Sequence, residues 1–413
     1  MKIVVYPHVL EIGGSQLNAI ELAAAVRDLG HEVVVFGQPG PLMERIEELD
    51  LEFVPAPRPR GRPSPRVMRA LGRLVEERGA DLVHGYEWTT ALEAYWGPRA
   101  RRGVPAVATV MSMAVAPFLP RDMPLVVGTE QIADHERRAG RSNVAVIEPP
   151  VDLDHNVAGA GDVAAFHRRH GLDPGAQTVV CVTRLAAELK LEGVLAAIDT
   201  VADLTAGNPV QLVLVGDGPT RGTVEAAAER ANARAGRRAV ILTGSLHDPR
   251  AAYAAADVCL GMGGSALRAM AFGRPLVVQG EAGFWELLTP ETVERFLWTG
   301  WYGAGDGAEH GRARLEGLLA PLLADADRRV ELGRFARGLV EERFSLRRAA
   351  VRQLELYEAA LAGAPLQRRN WMAPAIASAS GLTAYRFTRR LNDVLGRGSV
   401  DDFNSRPVAT ASR

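Results

Sequence analysis

Short apolar runs alternate with longer amphipathic segments along most of the chain, and this alternation predicts its secondary structure. In the first half, a helical pattern at about 16–29 follows the first apolar run. The runs predict strands at 3–6, 32–36, 51–54, 82–84, 104–110, 125–127 and 144–147. In the second half they predict strands at 178–183, 211–215, 240–242, 258–260 and 275–278, separated by alanine-rich helical stretches. Strands that are apolar throughout and alternate with helices are typical of parallel sheets covered by helices on both faces.

A change in composition divides this pattern in two. The stretch from Glu148 to about Ala176 is rich in proline, glycine and aspartate, which predicts a linker at 156–175. We therefore expect an α/β protein with two doubly wound, Rossmann-like domains at 1–155 and 176–345. Ligands of such sheets bind at the carboxyl ends of the strands, so these ends are predicted to face a shared cleft.

Two segments lie outside this plan. Residues 55–66 contain five prolines and four arginines, which predicts an exposed loop that cannot join a sheet. After Gly363 the pattern weakens, and 385–391 has the spacing of a basic amphipathic helix. Either segment is a candidate for peripheral contact with a membrane, whereas the simpler alternatives are a solvated loop and a short helix in a disordered tail. Disorder is favoured for about the last 15 residues.

Composition narrows the classes of function. The chain of 413 residues has a net charge of −1, so it lacks the basic excess expected of a nucleic-acid-binding protein. Cys181 and Cys259 lie in apolar runs and form neither a disulfide framework nor a metal-ligand spacing. A strand pattern begins almost at Met1, and no apolar stretch approaches the ~18 residues of a membrane span. These features predict a cytoplasmic protein.

Lysine is almost absent from this chain, because only Lys2 and Lys190 among the 48 basic residues are not arginine. Lys190 follows a predicted strand and lies six residues after Arg184. A mid-chain lysine in so arginine-rich a sequence suits a compact ammonium charge against phosphate oxygens. A solvated surface lysine is the simpler alternative. The neighbouring turns favour the phosphate role.

Three glycine-rich turns accompany this cationic pair, each after a predicted strand. The first is Glu11-Ile12-Gly13-Gly14-Ser15, and the second is Gly216-Asp217-Gly218-Pro219. The third is Gly261-Met262-Gly263-Gly264-Ser265-Ala266-Leu267-Arg268, with Ser265 as the predicted helix cap. Backbone amides, helix dipoles and two cations at matching strand ends predict a diphosphate site. Each turn alone is equally explained by ordinary turn chemistry.

These segments together resemble the retaining glycosyltransferases of family 4, which have the GT-B fold. Arg184 and Lys190 are similar to the pair that holds the donor diphosphate, and Gly216-Asp217-Gly218-Pro219 is similar to the Gly-x-Gly-Pro turn. Leu242-Thr243-Gly244-Ser245-Leu246 resembles the segment that contacts the nucleotide base. The resemblance runs from about residue 3 to 361. It implies a closing helix at 346–362 that returns to the first domain, followed by a partly disordered extension at 363–413.

The resemblance implies transfer of a sugar from a nucleotide diphosphate sugar to an acceptor hydroxyl, with retention of anomeric configuration and without a metal or other cofactor. Arg184 and Lys190 would be the catalytic residues, because they would stabilise the departing diphosphate. His84 and Glu281 are further candidates for contact with the sugar or the acceptor, which is a small molecule, a glycan or a lipid-linked compound. The predicted donor contacts are Gly13, Gly14, Gly216, Gly218, Gly244, Leu246, Gly263, Gly264, Ser265 and Arg268.

The chain departs from the family pattern at several positions. The usual pair of glutamates is absent from the third glycine turn, where Arg268 takes the place of one of them. Met111 replaces a histidine, and Pro149-Pro150 replaces the usual Asn-Gly. An arginine cannot accept a ribose hydrogen bond, and a methionine cannot polarise a sugar hydroxyl. A non-catalytic partner subunit with the same fold is therefore the main alternative, and a nucleotide-sugar 2-epimerase is a third.

Overall fold

The computed structural model describes residues 1–11, 13–205, 207, 209–369, 371–395 and 403. They form two compact units. One contains residues 1–149 together with the described residues from 346 onward, and the other is Pro150–Ser345. The units correspond to the two predicted Rossmann-like domains, with the boundary at Pro149 and Pro150.

Seven parallel strands form the sheet of the first unit. They are β1 (Lys2–Tyr6), β2 (Glu32–Gly37), β3 (Glu52–Pro55), β4 (Leu82–Tyr86), β5 (Ala106–Val110), β6 (Leu125–Val127) and β7 (Val144–Val146). Their order across the sheet is β3-β2-β1-β4-β5-β6-β7. All seven predicted strands are confirmed to within a few residues, because runs of valine, isoleucine and leucine favour strands buried on both faces.

Helices cover both faces of this sheet, and element numbers run along the whole chain. The helices of the first unit are α1 (Gly14–Asp28), α2 (Met43–Glu48), α3 (Pro65–Arg78), α4 (Glu87–Ala94), α5 (Ala100–Arg102), α6 (Glu130–Arg138), α15 (Leu346–Arg369) and α16 (Met372–Val394), with a π-helical turn at Tyr95–Arg99. Ala350 and Tyr357 of α15 are buried in the same core cluster as Ile20 of α1. The segment 346–362, predicted as a closing helix, is thus part of α15 and belongs to the first unit.

The second unit has a six-stranded sheet. Its strands are β8 (Gln177–Val182), β9 (Val210–Val215), β10 (Val240–Gly244), β11 (Val258–Gly261), β12 (Leu276–Gln279) and β13 (Trp285–Leu287). Their order is β10-β9-β8-β11-β12-β13. The first five strands were predicted and are parallel. β13 is antiparallel to β12 and was missed, because a three-residue edge strand has too few positions to show a periodic pattern.

The predicted linker is wrong, because its residues fold as part of the second unit. The helices of this unit are α7 (Val163–His170), α8 (Leu191–Leu204), α9 (Arg221–Ala235), α10 (Arg250–Ala255), α11 (Gly264–Ala271), α12 (Val293–Thr299), α13 (Gly311–Ala324) and α14 (Ala326–Arg343), with a 3₁₀ turn at Ala308–His310. Asp162 caps α7 by accepting a hydrogen bond from the Ala165 amide at 2.8 Å. Phe166 and Leu172 are buried in the core. These two apolar residues fix the segment despite its polar composition.

The proline-rich segment 55–66 is less exposed than predicted. Pro55 ends β3 and pairs with Gly37 of β2, so the segment does join the sheet at its first residue. The Arg62 side chain is only 12% exposed, and Ser64 is buried. Pro65 begins α3, where its missing amide hydrogen costs no hydrogen bond. The segment is thus a loop held against the first unit.

The region predicted as a short helix in a tail is a helix of 23 residues, α16. Its inner side includes the buried residues Ala375, Ser378 and Leu382. Large apolar side chains also lie exposed on this helix: Met372, Ile376, Phe387, Leu391 and Val394. Along the described residues, no helix is long and apolar enough to cross a membrane. The disorder predicted for the last 15 or so residues falls outside the described chain, apart from Phe403.

Candidate functional site

The strand order of each sheet reverses at one point, and such points are where doubly wound sheets bind ligands. In the second unit the reversal lies between β8 and β11, which pair directly. The loop after β8 carries Arg184 and Lys190, and the loop after β11 carries the third glycine turn. In the first unit the reversal lies between β1 and β4, and the first glycine turn follows β1. The cationic pair and the first and third glycine turns therefore lie at the reversal points, whereas the Gly-x-Gly-Pro turn and the predicted base-contacting segment lie at the carboxyl ends of the neighbouring strands β9 and β10.

The two predicted catalytic cations carry no carboxylate partner among the described residues. Lys190 is half-buried at the N-cap position of α8, and burial lowers the pKa of its ammonium group to about 8. Arg184 is exposed, six residues earlier in the same loop. Gln279 holds the loop from β12, donating from Nε2 to the Lys190 carbonyl oxygen at 3.0 Å. Two unneutralised cations on a fixed loop suit an anionic ligand.

The Gly-x-Gly-Pro turn packs against this loop. A methyl group on Gly216 would lie 1.8 Å from the Thr183 carbonyl oxygen, and one on Gly218 would lie 2.3 Å from that of Leu185. The Leu185 amide donates to the Asp217 carbonyl oxygen at 3.0 Å. Both glycines are required for the close approach of two backbones. Close packing alone therefore accounts for glycine at both positions, and their role as donor contacts stays a prediction.

The predicted base-contacting segment joins the same group of loops. The Gly216 amide donates to the Gly244 carbonyl oxygen at 2.9 Å, and Gly244 has a left-handed φ of 76°. Leu246 is half-buried and packs against the core of the second unit. The loops after β8, β9 and β10 are thus tied together at the carboxyl edge of the sheet.

The third glycine turn leaves open space beside its backbone, although the Gly263 amide itself donates to the Trp301 carbonyl oxygen at 3.0 Å. Gly263 is the N-cap of α11 with a φ of 55°, and α11 begins at Gly264. No atom of the described residues lies within 4 Å of a methyl group placed on either glycine. Ser265 does not cap the helix as predicted, because its hydroxyl donates to the Met262 carbonyl oxygen at 3.0 Å and accepts from the Met262 amide at 3.3 Å. Open backbone at a helix N-terminus suits an anionic group.

Arg268 lies on α11, four residues after Gly264 and so on the same side of the helix. Its guanidinium is half-buried and close to Tyr253, where its charge opposes the rise in the tyrosine pKa caused by burial. The ring of Tyr253 stacks on Phe272 with the ring centres 5.5 Å apart. A cation therefore occupies the helix that carries the open glycine backbone.

Glu281 proves to be an anchor of the cationic loop. Its Oε1 accepts from the Leu189 amide at 3.3 Å, and its Oε2 accepts from the Tyr302 hydroxyl at 2.7 Å. Sequence reasoning missed its neighbour Glu192, which accepts from the Ala282 and Gly283 amides at 3.2 and 2.6 Å. Glu281 thus fastens the loop after β12 to the loop that carries Lys190, and Glu192 fastens it to the start of α8.

The first glycine turn is fastened by a residue that the sequence did not reveal. Gly13 is the N-cap of α1, and Gly14 has open space around its Cα among the described residues. Ser15 donates to Glu87 Oε1 at 2.9 Å, and the Met111 amide donates to the same oxygen at 3.0 Å. Glu87 itself has a left-handed φ of 67°. It joins the turns after β1, β4 and β5, and it fixes the backbone of Met111.

The predicted contact of His84 with sugar or acceptor is wrong. The side chain is fully buried, with Nδ1 2.7 Å from the Tyr357 hydroxyl and Nε2 2.7 Å from Thr109 Oγ1. Burial lowers the pKa of the imidazole to about 3, so the ring stays neutral. Both ring nitrogens are occupied, which leaves neither for a ligand. His84 is a structural link between β4, β5 and α15.

A second cluster missed by the sequence lies beside the carboxyl end of β1. Glu93 is fully buried and accepts from the Tyr6 hydroxyl at 2.6 Å, the Arg62 guanidinium at 2.8 Å and the Ser64 amide at 2.7 Å. Burial raises the pKa of Glu93, which Arg62 opposes. His8 follows β1 with a φ of 76°, and burial and the charge of Arg62 lower its pKa to about 4. This part of the unit therefore offers a neutral imidazole beside an ion pair.

Comparison with known families agrees with this arrangement. Residues 12–155 match the model of "Glycosyltransferase Family 4", and residues 176–301 match "Glycosyl transferases group 1". The chain is 29% identical over 324 residues to a 2-deoxystreptamine glucosyltransferase of Streptomyces kanamyceticus, covering 65% of this chain and 81% of that protein. Each unit thus has its own similarity to glycosyltransferases.

Solved structures show the same fold at low sequence identity. A glycosyltransferase of Rickettsia africae has a TM-score of 0.67 and 15% identity, with 87% of this chain and 98% of that chain covered. The Anabaena HepE protein, solved with UDP and glucose, has a TM-score of 0.66 and 16% identity, with 87% and 100% covered. The two parallel-sheet units and these structures show that the chain has the GT-B fold, and the family matches show similarity to glycosyltransferases over residues 12–155 and 176–301.

Proposed function

We propose that this chain transfers a sugar from a nucleotide diphosphate sugar to an acceptor hydroxyl, with retention of configuration and without a metal. The observation that carries the proposal is the gathering of four loops of the second unit around two unneutralised cations, Arg184 and Lys190. Leu185, Gln279 and Glu281 make the hydrogen bonds that hold this group together. A site held so firmly from several strands is preorganised for a charged ligand.

The proposed reaction needs positioning and charge stabilisation more than a protein nucleophile. The bond between the anomeric carbon and the diphosphate oxygen breaks, and the acceptor oxygen bonds to that carbon on the same face. The acceptor proton passes to an oxygen of the departing diphosphate. Arg184 and Lys190 stabilise the negative charge that develops on the leaving group, with help from the N-terminal end of α11 at Gly264.

Arg268 changes how this site would hold its donor. A guanidinium donates hydrogen bonds and accepts none, so it suits phosphate oxygens and not ribose hydroxyls. We propose that Arg268 supplements the cationic loop and that the ribose is bound differently from the usual family pattern. The same replacement, together with Met111, also favours the second candidate function, a non-catalytic partner subunit that retains nucleotide binding.

The names of the similar proteins suggest the first compounds to test. HepE was solved with UDP and with UDP-glucose, and the Streptomyces relative is named for glucose transfer to 2-deoxystreptamine. We propose UDP-glucose as the first donor, and aminocyclitols together with other polyhydroxylated compounds as the first acceptors. The neutral His8 imidazole, which the Glu93–Arg62 pair adjoins, is the group that we propose for the acceptor side.

A donor panel with the purified chain alone tests this proposal. We expect transfer or slow donor hydrolysis with at least one nucleotide sugar, and we expect Lys190→Ala to lower kcat by about 10²–10³-fold, as for loss of one preorganised charge. Lys2→Ala is the matched control and should retain full activity. Because kcat/KM reports the free enzyme, it should fall as the pH rises through about 8. Nucleotide binding without turnover on every donor would favour the partner-subunit function.

A further inference from the structure

A strongly basic cavity lies on the first unit. Its volume is about 450 Å³. It is lined by five arginines, namely Arg66, Arg69, Arg73, Arg101 and Arg102. Three of these side chains come from one helix and two from another, so the cluster depends on the packing of two elements.

The spacing of the arginines directs them to one side of α3. Arg66, Arg69 and Arg73 lie at positions i, i+3 and i+7, which share one face of a helix. α3 packs against the π-helical turn at Tyr95–Arg99, and this turn leads directly into Arg101 and Arg102. A methyl group on Gly72 would lie 2.7 Å from an Arg102 guanidinium nitrogen, so glycine at this position makes room for that side chain.

Carboxylates neutralise little of this charge. Arg102 pairs with Glu76 at 2.5 Å. Within the described part of the chain, Arg66, Arg73 and Arg101 have no ion-pair or hydrogen-bond partner, and Arg69 donates only to the Pro65 carbonyl oxygen at 3.3 Å. Arginines elsewhere commonly pair with nearby acids, as Arg221 does with Asp217 and Glu225. The cavity therefore concentrates five like charges, and most of them lack a carboxylate partner among the described residues.

This arrangement opposes stability unless an anion is bound. Arg66 lies in the first turn of α3, where the helix dipole disfavours a cation. Neighbouring guanidinium groups also repel one another over distances shorter than the screening length of about 8 Å. Guanidinium groups bind phosphate oxygens through paired hydrogen bonds, and several of them around one cavity suit a ligand with more than one phosphate.

We propose that this cavity, defined by Arg66, Arg69, Arg73, Arg101 and Arg102, is a binding site for a ligand that bears two or more phosphate groups. The ligand is either a free phosphorylated compound or the headgroup of an anionic lipid. A lipid source has structural support because exposed apolar side chains of α16, which can insert into a lipid surface, lie near α3. Arg386 of α16 donates to the Arg62 carbonyl oxygen, three residues before α3 begins. The proposal does not depend on the donor site.

The test compares two double variants with the same loss of charge. Arg66→Gln/Arg73→Gln removes two arginines of the cavity, and glutamine is a good helix former. Arg230→Gln/Arg334→Gln is the control, because both of these arginines are exposed on helices of the second unit and lack ion-pair partners among the described residues. Each pair is also built into a chain carrying Arg184→Gln, so that binding at the cationic loop does not mask the cavity.

Two probes separate the sources of phosphate. Calorimetry with inorganic tripolyphosphate should give saturable binding that is about tenfold or more weaker in Arg66→Gln/Arg73→Gln and unchanged in the control. Flotation with phosphatidylcholine vesicles, with and without cardiolipin, whose headgroup carries two phosphates, should detect a lipid source. If the ligand is a lipid headgroup, binding to vesicles should require the anionic lipid, should be lost in Arg66→Gln/Arg73→Gln, and should be weakened by Phe387→Ser on α16.

The outcomes decide the proposal in either direction. Loss of either kind of binding in the cavity variant alone supports it and identifies the source. Absence of both, or equal loss in the cavity and control variants, overturns it. The melting temperature of the ligand-free cavity variant should equal or exceed that of the wild type, because repulsion has been relieved. Should that variant unfold instead, Arg101→Gln provides the same comparison with a single substitution.

Discussion

Replacing Lys190 with methionine should stabilise the folded chain while abolishing its activity. Burial lowers the pKa of this ammonium group from 10.5 to about 8, which corresponds to about 3 kcal/mol of unfavourable free energy at neutral pH. The unfolded chain binds the proton more tightly than the folded chain between these two pKa values. The cost is therefore fully present below about pH 8, and it diminishes as the pH rises towards 10.5.

The pH dependence gives this prediction its test. Urea denaturation of the wild type and of Lys190→Met should show the variant more stable by about 1–3 kcal/mol at pH 7, and this gain should shrink by about 2 kcal/mol at pH 10. Other titrating groups cancel in the comparison because both proteins share them. Lys2→Met is the control: its side chain is 48% exposed and pairs with Glu32, so its effect should stay within about 0.5 kcal/mol at both pH values.

Two results would refute this reasoning about Lys190. If Lys190→Met is less stable than the wild type at pH 7, the ammonium group makes a favourable contact that outweighs its burial. If the stability difference is the same at pH 7 and pH 10, the pKa of the group is not lowered. Full turnover of a nucleotide sugar by the variant would separately refute the proposed contact with the diphosphate, whatever the stability measurements show.

The remaining predictions concern residues with defined surroundings. Arg268→Ala should weaken binding of nucleoside diphosphate by about 1.5–3 kcal/mol and reduce the dependence of that affinity on salt. Calorimetry at two salt concentrations checks this, and affinities of the variant equal to those of the wild type at both would contradict it. Gly216→Ala should prevent folding or cost more than about 3 kcal/mol in denaturation, because the added methyl lies 1.8 Å from a carbonyl oxygen. Gly264→Ala has open space and should change stability by less than about 1 kcal/mol while it weakens donor binding. Tyr357→Phe leaves a buried His84 nitrogen without its partner and should cost about 1–3 kcal/mol in denaturation with no change in nucleotide affinity.

The sequence could predict the strands because the signal for them is local. A strand buried on both faces is a continuous apolar run, and β1, β8 and β9 each contain one. These continuous apolar runs also predicted parallel sheets. Because ligands of parallel sheets bind at the carboxyl ends of the strands, Arg184 and Lys190 were predicted to lie at a binding site. α7 escaped prediction because proline, glycine and aspartate dominate its surroundings, and only Phe166 is buried along it.

The contacts of the polar residues could be decided only by the tertiary structure. His84 has an ordinary position at a strand end, yet its hydrogen-bond partner Tyr357 is 273 residues away in the chain. Glu281 resembles a surface turn residue until the fold brings the Leu189 amide to it, across 92 positions. Apolar patterning depends on neighbouring residues, whereas pairing of a buried donor with its acceptor depends on which distant segments meet. The sequence by itself therefore determined the sheets and the edges where loops gather, and the folded chain decided which of the gathered side chains are held by the protein and which stay open to a ligand.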